Sequence, residues 1–219
     1  MEKYVKSITA LNNATLNNKD ADDIERCAES DIFWAQNKNK PLLERKIKRG
    51  NIYQFEFGKN YVPEMSYEHR GLVIGVSGKL LYVLPICSYN SSKEEHTSAY
   101  HPIDNPDNTK SNYYLLKQSE HPFLTHNSVL KLNDIRTVSI ARIKYKQNNG
   151  YLNPQSNTYK EIEKIVFSKY FYKYSYDYNQ LIEENKKLNE VITKLKDLNS
   201  ELQEKVNSLR STCTAKTSG

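Results

Sequence analysis

Two apolar runs decide the fold class: GLVIGV (71–76) and KLLYVLPIC (79–87), with Ser77-Gly78 between them. Two such runs around a short turn that contains Gly are typical of a β-hairpin. Further strand patterns lie before and after it, in NIYQFEFG (51–58), SVLKL (128–132) and RTVSIARI (136–143). Because several short strands follow one another with little helix between them, we predict a mainly-β core folded as a small barrel.

The apolar positions of these strands predict the core. NIYQFEFG alternates, so its aromatic side chains share one face, and the other runs are apolar over strand length. We expect the core to include Tyr53, Phe55, Phe57, Leu72, Ile74, Leu81, Val83, Val129, Leu132 and Ile135. Residues 88–127, rich in Asn, Ser, Pro and His, interrupt the pattern. They form a long loop that we expect to be functional or partly mobile.

Residues 1–46 are polar and predict an N-terminal helical extension. A helix from Asp20 to about Asn37 has a capping residue in Asp20 or Asp22 and further acids in its first turn. One helical stripe carries Ile24, Cys27, Ala28, Ile32 and Phe33. We interpret this region as an appendage that packs on the main domain or on a partner.

The C-terminal region predicts a long helix with a coiled coil. After Pro154 the chain has no Pro, and no Gly before Gly219, so one helix can run from Tyr159 onward. Leucines recur every seven residues at 181, 188, 195, 202 and 209. If these occupy position d, position a holds Asn185, Ile192, Asn199 and Val206. This pattern favours a parallel two-stranded coiled coil. We assign the helix to 158–210 and a disordered tail to 211–219.

Composition and motifs exclude several classes of protein. No stretch approaches the roughly 18 consecutive apolar residues of a membrane span, and residues 1–18 lack the apolar core of a secretory signal. The three cysteines are far apart, which excludes a disulfide framework and a zinc ribbon and suits the cytoplasm. Walker, GxGxxG, HExxH and GxSxG motifs are absent. The five histidines lack metal-ligand spacing, so we expect them at the surface or in loops.

Charge permits a phosphate-bearing partner without demanding one. The formal net charge is +6, and residues 47–156 carry thirteen positive and nine negative side chains.

A basic leucine zipper is excluded, because FSKYFYKYSYDYNQ (167–180) lacks the dense Arg and Lys of a major-groove helix.

Four segments stand in an informative order: KRGNIYQFEFG (48–58), PEMSYEHRGLVIGV (63–76), LLYVLPICS (80–88) and SVLKLNDIRTVSIARI (128–143). Together they resemble the MazF/PemK family of toxin endoribonucleases, and the last matches in spacing and residue type from Ser128 through Arg142. The resemblance covers 47–146. It implies an SH3-like barrel at 47–157 that dimerises and cuts single-stranded RNA without metal or cofactor. The ribose 2′-hydroxyl attacks phosphorus, which leaves a 2′,3′-cyclic phosphate and a 5′-hydroxyl.

The resemblance also implies site residues. Arg70 matches the catalytic arginine, and the catalytic hydroxyl falls at Ser88 or, in another alignment, at the position of Cys87. Related RNA-inhibited toxins read P-L-T-S where this chain reads P-I-C-S (85–88), which favours Ser88. An arginine fork matches two phosphate oxygens and stabilises the charge of the transition state. We expect seven residues to bind RNA: Lys48, Arg49, Lys59, Glu64, His69, Lys79 and Arg136.

Departures from the family keep a second function open. Gly71 replaces the usual Pro after the arginine, and Val62-Pro63 replaces the usual Gly-Ser before the acid. The first hypothesis is a cytoplasmic RNA-cleaving toxin with a protein or RNA antitoxin, dimeric through its barrel and coiled coil. The alternative is a binding module on the same barrel, either catalytically inactive or similar to the gyrase poison CcdB.

Overall fold

The computed structural model describes residues 2–17, 20–39 and 46–216. Contacts between residues divide the chain into two units, Met1–Val166 and Phe167–Gly219. The first unit contains the sheet, and it extends into the segment predicted as 158–210. The boundaries predicted at 46, 157 and 210 stay predictions.

Among the described residues, seven strands form one sheet. Their bounds are β1 Asn51–Glu56, β2 Glu68–Ser77, β3 Leu80–Ser88, β4 Tyr113–Leu116, β5 Ser128–Lys131, β6 Arg136–Ser139 and β7 Ile143–Tyr151. The helices are α1 Glu2–Leu16, α2 Ala21–Asn37, α3 Glu94–Thr97, α4 Asn157–Tyr170 and α5 Tyr172–Lys216. Within those ranges, none of the helices has the apolar length that a bilayer span requires.

The sheet is antiparallel throughout. Neighbouring strands follow the order β4-β5-β3-β2-β1-β7, and β6 also pairs with β3. This confirms the predicted mainly-β core with helical extensions. The run predicted as one strand at 136–143 is divided, because the Ser139 side chain caps a 3-10 helix at Ile140–Arg142 before β7 begins.

The predicted hairpin at 71–87 is confirmed. Strands β2 and β3 pair from Arg70 opposite Ile86 to Ser77 opposite Leu80. The turn consists of Gly78 and Lys79, one residue later than expected. Gly78 has a φ of +58°, the left-handed conformation in which glycine carries no Cβ penalty.

Both faces of the sheet are buried. Adjacent residues of the strands contribute to different clusters: Tyr53, Phe55 and Val73 to one, Ile52 and Leu72 to the other. The predicted core is confirmed. Tyr53, Phe55, Phe57, Leu72, Leu81, Val83, Val129 and Leu132 are buried, and Ile74 and Ile135 pack against the core while partly exposed.

The segment 88–127 supplies part of the second cluster. It contains α3 and β4 and buries Tyr100, Tyr114 and Leu124 against the sheet. Three of the histidines expected at the surface or in loops, His96, His101 and His121, are buried. Hydrogen bonds from the backbone compensate the burial of His101, since its Nδ1 accepts from the N–H groups of Ile103 and Asp104.

Helix α2 begins as predicted, with the Asp20 carboxylate accepting from the N–H groups of Asp22 and Asp23. Its buried side differs from the predicted stripe: Ser30 is buried, whereas Ile32 is exposed. Ser30 donates a 3.0 Å hydrogen bond to the Glu56 carboxylate of β1. Polar pairing therefore orients α2 as much as apolar burial does.

The predicted C-terminal helix is interrupted at Phe171, between α4 and α5. Tyr159, Ile162 and Val166 of α4 are buried in the second core cluster, so this helix begins inside the sheet unit. Helix α5 continues to Lys216, which includes part of the tail predicted at 211–219, because neither Gly nor Pro ends it earlier. Residues 217–219 lie outside the described ranges.

Gly71 tests the packing of the hairpin. A Cβ at this position would lie 2.4 Å from Val83 Cγ1 and 2.8 Å from Phe55 Cδ2. Gly71→Ala should lower the free energy of unfolding by about 1–3 kcal/mol, because both neighbours would have to move. Ser77→Ala adds no atoms at an exposed position of β2 and should change it by less than about 0.5 kcal/mol. Urea denaturation measures both, and equal midpoints would contradict this packing.

Candidate active site

A cleft of about 1000 Å³ lies beside the end of β3. Strand pairing sets its walls, since Arg70 of β2 stands opposite Ile86 and Ser88 of β3 stands opposite Ser128 of β5. The segment 88–127 supplies a further wall that includes Tyr89 and His126. The cleft therefore combines residues that are far apart in the sequence.

Arg70 is partly buried at this cleft and donates to neutral partners. Its Nη2 lies 3.0 Å from Ser128 Oγ and 3.3 Å from His126 Nε2. Burial lowers the pKa of the guanidinium, which nevertheless keeps its charge. Among the described residues, no carboxylate forms an ion pair with Arg70. The nearby acids have other partners, Arg136 for Glu64 and Lys144 for Glu68.

Ser128 holds Arg70 and His126 together. Its side chain is completely buried, accepts from Arg70 Nη2 and donates a 3.2 Å hydrogen bond to the His126 carbonyl. A buried hydroxyl with both roles satisfied is a rigid connector, because breaking either bond leaves a polar group desolvated. Ser128 thus positions both the guanidinium and the residue that bears the imidazole.

The contacts of His126 define its tautomer. Arg70 has only donors, so the Nε2 atom that faces it carries the lone pair. Nδ1 therefore bears the proton and donates to Thr125 Oγ1 at 2.9 Å. Ser88 Oγ lies 2.8 Å from Nε2 and donates to it. The exposed end of the cleft thus presents an imidazole lone pair beside a hydroxyl and a cation.

Ser88 and Cys87 have different surroundings, although both line the cleft. Cys87 Sγ lies 3.9 Å from His96 Nε2. Burial raises the pKa of the Cys87 thiol, against the opposing charges of Lys93, Lys131 and Arg70. The thiol is therefore kept protonated and is a poor nucleophile or base. Of these two neighbours, Ser88 is the one whose side chain contacts His126, the imidazole beside Arg70.

The rest of the cleft is lined by cations, aromatic rings and the carboxylates of Glu68 and Glu95. Lys131 is buried, donates to the Pro63 carbonyl and lies 6.0 Å from the centre of the Tyr113 ring. Lys93 and Tyr89 line the same space. Positive charge suits phosphate groups and flat rings suit bases, so the surface matches single-stranded nucleic acid in kind.

His69 adjoins the cleft from β2, next to Arg70. Burial lowers the pKa of its imidazole, and the charges of Arg26 and Arg70 lower it further, whereas Glu68 raises it. His69 is consequently neutral near pH 7. The influence of Arg26 shows that α2 contributes to the electrostatics of this wall.

Of the nine predicted site residues, His69, Arg70 and Ser88 line the cleft. The other six lie elsewhere. Arg49 contacts Glu163 and Tyr159 of α4, and Lys59 forms a 2.7 Å ion pair with Asp31 of α2. These cations have structural partners.

The remaining four predicted residues are also outside the cleft lining. Arg136 donates to Asp134 at 2.9 Å and to Glu64 at 3.4 Å. Lys79 occupies the β2–β3 turn, and the Lys48 N–H donates to Asn51. Of the predicted RNA-binding set, only His69 adjoins Arg70 and Ser88.

Sequence reasoning missed His126, Thr125 and Ser128. Thr125 and His126 belong to the polar string THNS (125–128), and Ser128 begins the strand run SVLKL and the motif match, but none of the three was assigned a role at the site. Polar residues are common in the loop before a strand, so this string does not by itself indicate a site. The pairing of β3 with β5, which sets Ser128 opposite Ser88, brings it to the cleft. Lys93 and Lys131, also missed, are isolated lysines in the sequence.

The donor set of the cleft suits an anion. Arg70, Lys93 and Lys131 supply three cations against two carboxylates, Glu95 and Glu68, of which Glu68 is paired with Lys144. Ser88 supplies a hydroxyl. Over the ranges that the structure describes, no group of three or more His, Cys, Asp or Glu side chains could hold a metal ion.

Comparison with protein-family models gave no match for the chain, and a search of curated proteins gave none either. The resemblance to the MazF/PemK family therefore stays a prediction from the sequence motifs.

Titration of His69 tests the electrostatics of the cleft. Arg26→Gln and Arg70→Gln should each raise the His69 pKa, because each removes a positive charge that disfavours the imidazolium. Burial remains in both variants, so the value should stay below the ordinary 6.5. Side-chain NMR titration measures the change. Arg136→Gln is the matched control and should leave the His69 pKa in place; a response to Arg136 alone would contradict this arrangement.

Proposed function

We propose that this protein is the toxin of a toxin–antitoxin system and acts as an endoribonuclease on single-stranded RNA. The observation that carries the proposal is the contact group of Arg70, Ser88 and His126, in which a cation with no carboxylate partner among the described residues lies beside a hydroxyl and an imidazole nitrogen. The sequence resemblance to MazF/PemK toxins supports the same reaction independently, since it selects Arg70 and Ser88 from motifs alone.

Arg70 binds the scissile phosphate in this proposal. Its guanidinium fork matches two non-bridging oxygens, and their charge grows as phosphorus becomes pentacoordinate. The neutral partners of Arg70 leave its charge uncompensated, and its partial burial strengthens the interaction with an anion. Lys93 and Lys131 extend the positive surface along the flanking backbone.

His126 is the base, and Ser88 orients the attacking group. The 2′-hydroxyl displaces the Ser88 hydroxyl from Nε2 of His126 and gives its proton to that nitrogen, and the 2′-oxygen forms its bond to phosphorus. The bond from phosphorus to the 5′-oxygen of the next nucleotide breaks, and that oxygen takes a proton from solvent. His126 then releases its proton to solvent. The products are a 2′,3′-cyclic phosphate and a 5′-hydroxyl, and a serine without a strong base beside it could not supply this step.

The proposal includes the finer statements about architecture and partners. The antiparallel sheet is an SH3-like barrel of the MazF/PemK type, and the protein works in the cytoplasm. A cognate antitoxin, protein or RNA, inhibits it. The active form is a homodimer joined through the barrel and through the heptad leucines of α5, whose side chains are exposed along the helix.

Substitutions of the predicted catalytic pair test the reaction. Arg70→Ala should reduce cleavage of a single-stranded RNA by about 10²–10³-fold, because the transition-state charge loses its donor. Ser88→Ala should also reduce the rate, whereas Cys87→Ser, its matched neighbour, should change it little. Cleavage should continue in EDTA and yield a cyclic phosphate. RNA binding that persists with no cleavage by the wild-type protein would favour the alternative binding module.

A second test concerns His126. His126→Gln retains an acceptor for Arg70 but removes the base, so the cleavage rate should fall by about 10²–10⁴-fold while RNA binding remains. Arg70 of β2 is the charged group that contacts His126. The other side-chain contacts of His126 are the hydroxyls of Ser88 and Thr125. An unchanged cleavage rate in His126→Gln would eliminate His126 as the base.

A further inference from the structure

The second unit begins with an exposed aromatic segment that RNA cleavage does not explain. Seven aromatic side chains between 167 and 178 are exposed, each by 40% or more of its surface: Phe167, Tyr170, Phe171, Tyr172, Tyr174, Tyr176 and Tyr178. Val166, directly before them, is buried in the sheet core. Exposed apolar surface of this density marks an interaction surface.

Four of these aromatics continue the heptad of the leucines. Counting back from Leu181 at position d places Tyr174 and Phe167 at d and Tyr178 and Phe171 at a. The helical hydrogen bonds run on through the interruption at Phe171, because Phe171 N–H donates to the Phe167 carbonyl and Ser175 N–H to that of Phe171. The rings of Phe167 and Phe171 stack with centroids 5.4 Å apart. The row of a and d side chains, which is the seam of a coiled coil, therefore starts at Phe167, the first residue of the second unit.

The helix surface opposite the a and d positions is polar. From residue 179 onward, positions b, c and f hold no apolar residue up to Leu209: Asn179, Gln180, Glu183, Lys186, Lys187, Glu190, Thr193, Lys194, Asp197, Ser200, Glu201, Glu204, Asn207 and Ser208. The a and d side chains, in contrast, include the exposed Leu188, Ile192 and Leu195. One continuous apolar face thus runs along the helix without a covering partner among the described residues.

We propose that residues 167–209 pair with a second copy of this chain, parallel and in register, and that aromatic layers form the first part of this interface. The inference deepens the homodimer in the proposed function and does not depend on RNA cleavage. It extends the interface upstream from Leu181 to Phe167, so that the coiled coil begins directly after the sheet unit.

Charge and polar layers select a second copy in this orientation. Residues 167–209 carry seven basic and seven acidic side chains, so two copies meet without net repulsion. In a parallel pair position a faces a, so Asn185 meets Asn185 and Asn199 meets Asn199, and the amides can bond to each other. An antiparallel pair would place each Asn against a leucine and leave a buried amide unsatisfied, at about 1–3 kcal/mol.

An RNA strand stacked on the tyrosines is the competing occupant, since aromatics with interspersed lysines also suit single-stranded nucleic acid. The spacing favours the seam: Phe167, Phe171, Tyr174 and Tyr178 follow the alternating four-and-three step of a and d positions. Stacking of successive bases requires no such step.

Two tyrosines give a matched test in the full-length protein. With Cys27, Cys87 and Cys213 replaced by serine, Tyr174→Cys places a thiol at position d and Tyr176→Cys places one at position f. Both sites are exposed in the single chain, by 69% and 54%. After mild oxidation with diamide, Tyr174→Cys should form a disulfide-linked dimer at least ten times faster than Tyr176→Cys, because d residues face each other in the parallel dimer and f residues do not.

Equal crosslinking at the two positions, or none at Tyr174→Cys, would overturn the proposal. Photo-crosslinking of both tyrosine positions to a short uridine-rich RNA without a disulfide dimer would do the same in favour of the RNA occupant. Sedimentation of Leu188→Asp supplies a second measurement: this variant should dissociate to monomers at a higher protein concentration than the f-position control Glu190→Asp, because the proposed barrel interface alone then joins the two copies. Selective disulfide formation in a protein that cleaves no RNA would support this interface and count only against the nuclease.

Discussion

The structure depends on the backbone pairing of β3. One edge of this strand pairs with β2, and the other is shared, with β6 along Leu80–Val83 and β5 along Ile86–Ser88. Because side chains alternate between faces, a shift by one residue would exchange every core side chain with its neighbour. The burial of Leu81 and Val83 therefore fixes the register, and the same register sets Ser88 opposite Ser128. The pairing register of β3 therefore determines both the packing of the core and the geometry of the site.

The cleft concentrates charge where the fold leaves it uncompensated. Several cations of the sheet unit form ion pairs with carboxylates, among them Arg49, Lys59, Arg136 and Lys144. Arg70 instead contacts a buried hydroxyl and an imidazole. Holding a cation in such surroundings costs solvation free energy, and an anion that enters the cleft recovers part of it. The local partners of each cation therefore distinguish Arg70 from the structural arginines better than the net charge of the chain does.

The two units differ in how their apolar residues are covered. In the first, both faces of the sheet are covered from within the chain, and α4 contributes Tyr159, Ile162 and Val166. In the second, apolar residues follow a heptad and remain exposed. Burial of a leucine-sized side chain is worth about 1.5–3 kcal/mol, so a long uncovered row is a large unused driving force for association. The sheet unit buries its apolar residues within one chain, whereas association with another chain would be needed to bury those of the helix.

The sequence alone determined the elements with a strong period: the hairpin at 71–87, the core aromatics of β1, the capped helix α2 and the heptad of α5. Local patterns suffice there because the driving residues are neighbours along the chain. It also singled out Arg70 and Ser88 through motif resemblance. Only the tertiary structure decided that His126 and Ser128 join them, that both sheet faces are buried, and that the basic residues at 48, 49, 59, 79 and 136 lie away from the cleft. Strand pairing between distant segments made those choices, and no local period records which residues will meet.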